Sequence, residues 1–159
     1  MPFAAKIDAA PAIEAVRLWR ARFRQGLRDS FAAGAAVLLA IVRAKLSGEM
    51  LRPKSGALRA SIRAAVAEDA AGLAARVWSD GSLPYARIQE YGGRIMVPDL
   101  AARNAKALAF VYGGKIAFAT RVRAHAVELP ERSYMRSSLA DFAPAFADGI
   151  RKVTAEAGA

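Results

Sequence analysis

Between Ala12 and Leu46 the chain runs thirty-five residues with no proline and only two glycines, Gly26 and Gly34. Ile13, Val16, Phe23, Leu27, Phe31, Leu38 and Ile41 recur there at spacings of 3, 4 or 7, which keeps them on one side of a 3.6-residue helix. Pro11 stands just ahead of the run and Gly48 just beyond it, the asymmetry expected of a helix start and stop. At 1.5 Å per residue such a helix extends on the order of 50 Å. That is long for one small domain. Either Gly26 or Gly34 marks a bend, or part of the helix projects and finds its partner on another chain. Its most apolar segment, SFAAGAAVLLAIV at 30–42, has thirteen uncharged residues. A bilayer needs roughly 20, so the segment predicts a buried helix and no membrane span.

At 159 residues the chain is expected to form a single domain, 1–159, with a real core. Hydrophobic residues make up 55% and charged ones 24%, which excludes a disordered tail. Lys and Arg exceed Asp and Glu by 24 to 14, a net charge of +10, so some face must be positive. That suits nucleic acid, an anionic membrane surface or an acidic partner equally. The absence of cysteine excludes disulfides, thiolate metal sites and cysteine nucleophiles. The start, MPFAAKIDAAPAIEA, carries Lys6, Asp8 and Glu14 and does not read as a secretory signal.

Past residue 58 the period changes. In RASIRAAVA, Ile62, Ala64 and Val66 alternate with Arg63 and Ala65; in LAARVW, Leu73, Ala75 and Val77 alternate with Ala74, Arg76 and Trp78. These read as two strands around an EDAAG turn. ALAFVY and KIAFATRV flank Gly113-Gly114, a two-residue connection suited to a tight hairpin. Leu108, Phe110 and Tyr112 share one face of the first strand, and Ile116, Phe118, Thr120 and Val122 one face of the second; Phe110, Tyr112 and Phe118 are expected in the core. Between the hairpins a short helix is expected at 85–91, followed by a loop through Pro98. A last helix is expected over 133–156, where Met135, Leu139, Phe142, Phe146, Ile150 and Val153 form an apolar stripe, with Pro144 splitting it near Asp141. The predicted class is α+β: a long N-terminal helix at 12–46, an antiparallel sheet of two hairpins across 58–123 with the short helix inserted, and a C-terminal helix packed on the sheet.

An enzyme finds little here. His125 is the one histidine, and Glu128 and Glu131 beside it have no ligand spacing, so no metal or other cofactor is expected. Neither a G-x-S-x-G elbow nor a phosphate-binding glycine loop appears. A metal-assisted hydrolase would have to draw on Asp80, Glu90 or Glu128. Arg17, Arg20, Arg24 and Arg28, spaced 3, 4 and 4, form a basic ridge along the first helix. It either contacts DNA phosphates or an acidic partner, or is a solvated flank whose aliphatic stems shield the core edge.

Three short stretches remain: RPKSGALRASI at 52–62, LPYARIQEYGG at 83–93 and LPERSYMRSSL at 129–139. In this order and spacing, over about residues 12–155, they resemble the tail-completion, or head-to-tail joining, proteins of long-tailed bacteriophages and phage-like gene transfer particles. Those proteins show a T-G-x-L-R-x-S-like segment, then Y-A-x-x-x-E-x-G, then a P-A-R-P-F-like segment. Gly56, Leu58, Arg59 and Ser61 match the first, with Ser55 in place of threonine. Tyr85, Ala86, Glu90 and Gly92 match the second. Pro130 and Arg132 match the third, while Glu131, Ser133 and Tyr134 depart from it. Read physically, Ser55-Gly56 is a turn that folds Leu58 back onto the long helix. Pro84 starts a short helix with Tyr85, Ile88 and, roughly, Tyr91 toward the sheet, leaving Arg87 and Glu90 to face outward or a neighbour. Glu90 and Arg132 are expected in an internal or intersubunit salt bridge.

The resemblance implies a non-enzymatic virion protein of the neck and tail region, assembled in the host cytoplasm. It would form a homo-oligomeric ring, a hexamer being one stoichiometry, and adjoin the head-tail connector and tail proteins, with non-specific contact to packaged DNA. The alternative expectation is a sequence-independent DNA-binding module.

Overall fold

Helix α1 spans Ala10–Ala44 in the computed structural model, which describes residues 8–51, 55–70, 72–103 and 106–157. It stays one helix through both glycines, then widens into a π-helical turn over Lys45–Glu49, where Gly48 at φ +132° ends it. Neither glycine interrupts it. They let α4, Tyr134–Ala157, come close: a Cβ on Gly34 would lie 2.7 Å from Phe146 Cε2, and one on Gly26 3.0 Å from Val153 Cγ1. The two helices therefore run antiparallel, with Phe146 edge-on to Phe31 at 5.2 Å. Near their other end the ammonium of Lys45 donates to Ser137 Oγ at 2.8 Å and pairs with Asp141. Pro144 does not split α4. Pro144 and Ala140, whose carbonyl loses its partner, are both exposed, so water can satisfy the freed group.

The fold is α+β. The chain divides into two compact units, Met1–Leu83 with Tyr134–Ala159, and Pro84–Ser133. In the first unit, the single turn α2 (Ala57–Ala60) leads into a hairpin of β1 (Ile62–Asp69) and β2 (Gly72–Ser79), paired from Ile62↔Ser79 to Asp69↔Gly72. One face of the hairpin lies on α1, and α4 makes its main contact with α1, its first turn reaching the core. That core is Val42, Leu46, Leu51, Ile62 and Tyr134, flanked by Leu38, Leu39, Leu58, Val77 and Met135. The alternation read from sequence is what turns Ile62, Ala64 and Val77 toward it.

The second unit begins with α3 (Tyr85–Tyr91) and continues as a two-stranded antiparallel ribbon. Its outgoing strands are β3 (Gly93–Val97), β4 (Leu100–Ala101) and β5 (Leu108–Tyr112); β6 (Lys115–Ala119), β7 (Arg121–Val122) and β8 (His125–Leu129) return. Gly93↔Leu129 and Leu100↔Val122 keep one register across the Pro98 interruption, so β3–β8 and β4–β7 are parts of one ladder. Asp99 and Arg121 staple that interruption: the Arg121 guanidinium donates to both carboxylate oxygens, at 2.9 and 3.0 Å from Nε, and holds the carboxyl below its usual range. The tip ladder, Leu108↔Ala119 to Tyr112↔Lys115, is offset by five residues taken up between Ala101 and Leu108.

Both hairpins expected from the sequence exist, at 62–79 and 108–119. The loop expected through Pro98 is instead the ribbon's lower ladder. The expectation that Phe110 and Phe118 lie in a core is also corrected. The Gly113-Gly114 turn sets Val111 opposite Ile116 and Ala109 opposite Phe118, so Phe110 and Phe118 point to opposite faces and both are exposed.

Candidate functional site

Gly56 adopts φ +72° and begins α2; Leu58 packs against the core as expected, and Arg59 is exposed. Ser61 is buried, donating to the Leu58 carbonyl at 2.8 Å and lying 3.1 Å from Ser79 Oγ, which ties the base of β1 to that of β2. This first motif is a folding device at the foot of the hairpin.

The second motif is only partly as expected: Arg87 is exposed and Ile88 half-buried, but Glu90 and the two tyrosines are reversed. Ala86 and Glu90, four apart, are the buried side chains of α3, while Tyr85 and Tyr91 are exposed. Glu90 is 4% exposed, and Ser133 Oγ donates to its carboxylate at 3.2 Å. A buried carboxylate is tolerated only with such donors. Gly92 has φ +66° and ψ −169°; a Cβ there would lie 2.6 Å from the backbone nitrogen of Glu131 and 2.8 Å from the Leu129 carbonyl oxygen. Arg132 donates its backbone N–H to the Gln89 carbonyl at 3.1 Å. The exposed Arg132 side chain makes no ion pair among the described residues, and Pro130 follows directly on β8. The second and third motifs thus meet where α3 ends and the ribbon returns.

The arginine ridge is partly spoken for. Arg28 pairs with Glu68 of β1 at 2.6 Å and Arg24 with the same carboxylate at 3.6 Å, so half of the ridge holds the hairpin to α1. Arg17 lies 3.8 Å from Glu14, an exposed pair of little energetic weight. Arg20 and Arg22 make no ion pair among the described residues. The ridge is legible from spacing alone, whereas its partner Glu68 lies forty residues beyond Arg28.

The carboxylates considered for a hydrolase sit apart in role. Asp80 pairs with Arg63 at 3.1 Å, Glu128 with Arg94 at 3.8 Å across the ribbon, and Glu90 is buried on α3. Among the described residues no three His, Asp or Glu side chains converge as a metal site. His125 Nδ1 lies 2.9 Å from the Arg123 carbonyl. Asp80 accepts from Ser82 Oγ at 2.6 Å and from the Ser82 N–H at 3.0 Å, and these bonds, the hydroxyl's first, hold its carboxyl below the usual range. A depressed carboxyl stabilises the fold above its unfolded pKa, and that contribution disappears as pH falls through the folded value. Ser82→Ala is expected to return the Asp80 carboxyl toward the ordinary range, read by NMR titration; an unmoved titration would assign the shift to another cause.

The largest unsatisfied feature is apolar. Among the described residues seven apolar side chains are buried, whereas eighteen large ones are exposed. Two groups stand out. Every residue from 8 to 22 is exposed, and this first part of α1 carries Ile13, Val16, Leu18 and Trp19. At the ribbon tip Ala109, Val111, Ile116 and Phe118 share one open face, the last three 70–74% exposed. The chain exposes 12244 Å² in all. Scaling predicts about 8,000 Å² for one globule of this length and about 9,400 Å² for two separate ones. The chain therefore exposes a surplus on the order of 3,000 Å² over that scaling. By length and composition α1 could also cross a bilayer, but its apolar half is the part that carries Val42 and receives α4.

No protein-family model, no curated protein and no solved structure matches the chain.

Proposed function

We propose that this chain is a non-enzymatic structural subunit of a phage or phage-like particle, acting at the neck, where copies of it form a ring that completes the tail and joins it to the head. The observation that carries this reading is the apolar surface left open on two elements that cannot cover themselves. A helical segment of some fifteen exposed residues is marginal alone in water, and an isolated two-stranded ribbon is marginal at best. Both become stable against a partner. The order of the three motifs around Gly56, Glu90 and Pro130 supplies the kind of assembly, and contacts between unlike surfaces of identical copies close into rings when the rotation allows.

The test is to purify particles and image the neck by electron microscopy. The expected result is density for this chain as a ring between head and tail, and unjoined heads and tails when its gene is deleted. Complete, infectious particles without it would overturn the reading.

The charge of +10, with Arg20 and Arg22 unpaired among the described residues, supports the second reading, a sequence-independent DNA-binding module. That reading expects duplex affinity of the isolated protein falling steeply with salt. Absence of binding at low salt would remove it.

A further inference from the structure

In the first unit the helical layer is only half covered. The β1–β2 hairpin lies on α1, and beside β2 an apolar groove of about 550 Å³ remains open. Leu38 and Val42 of α1 and Met135 and Leu139 of α4 line it, together with the consecutive residues Ala75 to Trp78 of β2. Neighbouring residues of a strand point to opposite faces, so a groove touching four in a row runs along the strand's edge. Among the described residues that edge has no partner, because β2 pairs with β1 alone. Unpaired edge groups over an apolar floor are the acceptor geometry for an added strand.

The same chain carries a donor without an acceptor. At the ribbon tip Ala109, Val111, Ile116 and Phe118 make one uninterrupted apolar face, and β5 and β6 each have a free edge among the described residues. Edge strands that must stay unpaired are usually blunted by charge, proline or bulges. From 107 to 119 the only charged residue is Lys115, which pairs with Tyr112 and so falls on the opposite face from Val111. Four residues of β2 and five of β5 or β6 extend about 13 and 17 Å, so the lengths agree.

We infer that the ribbon tip of one copy adds as a strand to the free edge of β2 in a second copy, with Val111, Ile116 and Phe118 seated in the groove beside Val77 and Leu139. This rests on the reading of the chain as a self-assembling subunit. Charge selects these surfaces: copies at +10 repel, and Arg76 is the one charged residue among the groove lining and the apolar tip face. Area agrees as well, since a ring subunit gives up about 800 Å² to each of two neighbours, within its surplus on the order of 3,000 Å². The contact joins unlike surfaces, so it propagates around a ring instead of stopping at a pair.

The absence of cysteine makes the test clean. Full-length Val111→Cys and Leu139→Cys chains are mixed and treated with a short bis-maleimide, and oligomers are followed by sedimentation. The expected product is a covalent dimer of one chain of each kind, lost when Phe118→Ser is added to the Val111→Cys chain. Phe118 is exposed, so that change leaves the subunit folded. Dimers of Val111→Cys with itself would mean that tips pair with tips, and a cross-link within one doubly substituted monomer would mean that the tip folds back; either overturns the contact. Oligomers without the cross-link overturn it and leave the ring reading standing. A chain monomeric at its highest soluble concentration overturns it too, and the ring reading is then judged by imaging the particles.

Discussion

Tyr134→Ala is expected to cost about 3–5 kcal/mol, the range for deleting a buried aromatic ring and leaving its cavity. Tyr134 is 2% exposed, the largest of the fully buried side chains, and packs with Val42, Leu46, Leu51 and Ile62 in a core with few members. Few neighbours can collapse into the space. A domain of this size has only about 5–15 kcal/mol in total, so the variant should lose most of its margin. Urea unfolding followed by tryptophan fluorescence reads it directly, because Trp19 and Trp78 both lie in the first unit. A change below about 1 kcal/mol would show that the ring is not a keystone there.

Gly92→Ala is expected to be nearly as damaging, by about 3 kcal/mol, but in the other unit. Its φ of +66° with ψ of −169° belongs to a region that side chains essentially never occupy. The added Cβ would also meet backbone, at the Glu131 nitrogen and the Leu129 carbonyl, and backbone cannot swing aside as a side chain can. The end of α3 and the end of β8 would have to separate. Amide protection should fall across 85–97 and 125–132 while the tryptophan transition stays in place. Gly114→Ala is the control: its φ is +76° but nothing lies within 4 Å of the new carbon, so only about 1–2 kcal/mol of conformational cost is expected. Equal effects at the two positions would refute the steric account of Gly92.

Periodicity made the long helices and both hairpins legible because those signals are local. Observed α1 begins at Ala10 where Ala12 is read from the sequence, and α4 begins at Tyr134 against 133. The lower ladder of the ribbon was not legible. Its strands β3 and β8 are five residues each, lie some thirty residues apart, and are bordered by Gly92, Pro98 and Pro130, which locally signal loop. Glu90 failed for a related reason. A glutamate on a helix is read as facing water unless its donor is known, and Ser133 is forty-three residues away. The open face at the ribbon tip was within reach. A two-residue turn at Gly113-Gly114 fixes Val111 against Ile116 and Ala109 against Phe118, and counting outward from it separates Phe118 from Phe110.

The five-residue offset between the two ladders of the ribbon divides its sequence by tolerance of length change. Below the offset both strands hold one count from Gly93↔Leu129 to Leu100↔Val122, so deleting a single residue at Pro98 would turn every outer side chain to the wrong side. Between Ala101 and Leu108 the count is already broken, and a residue more or less there leaves both ladders paired as they are. That stretch can therefore absorb insertions and deletions without disturbing what the ribbon's end presents.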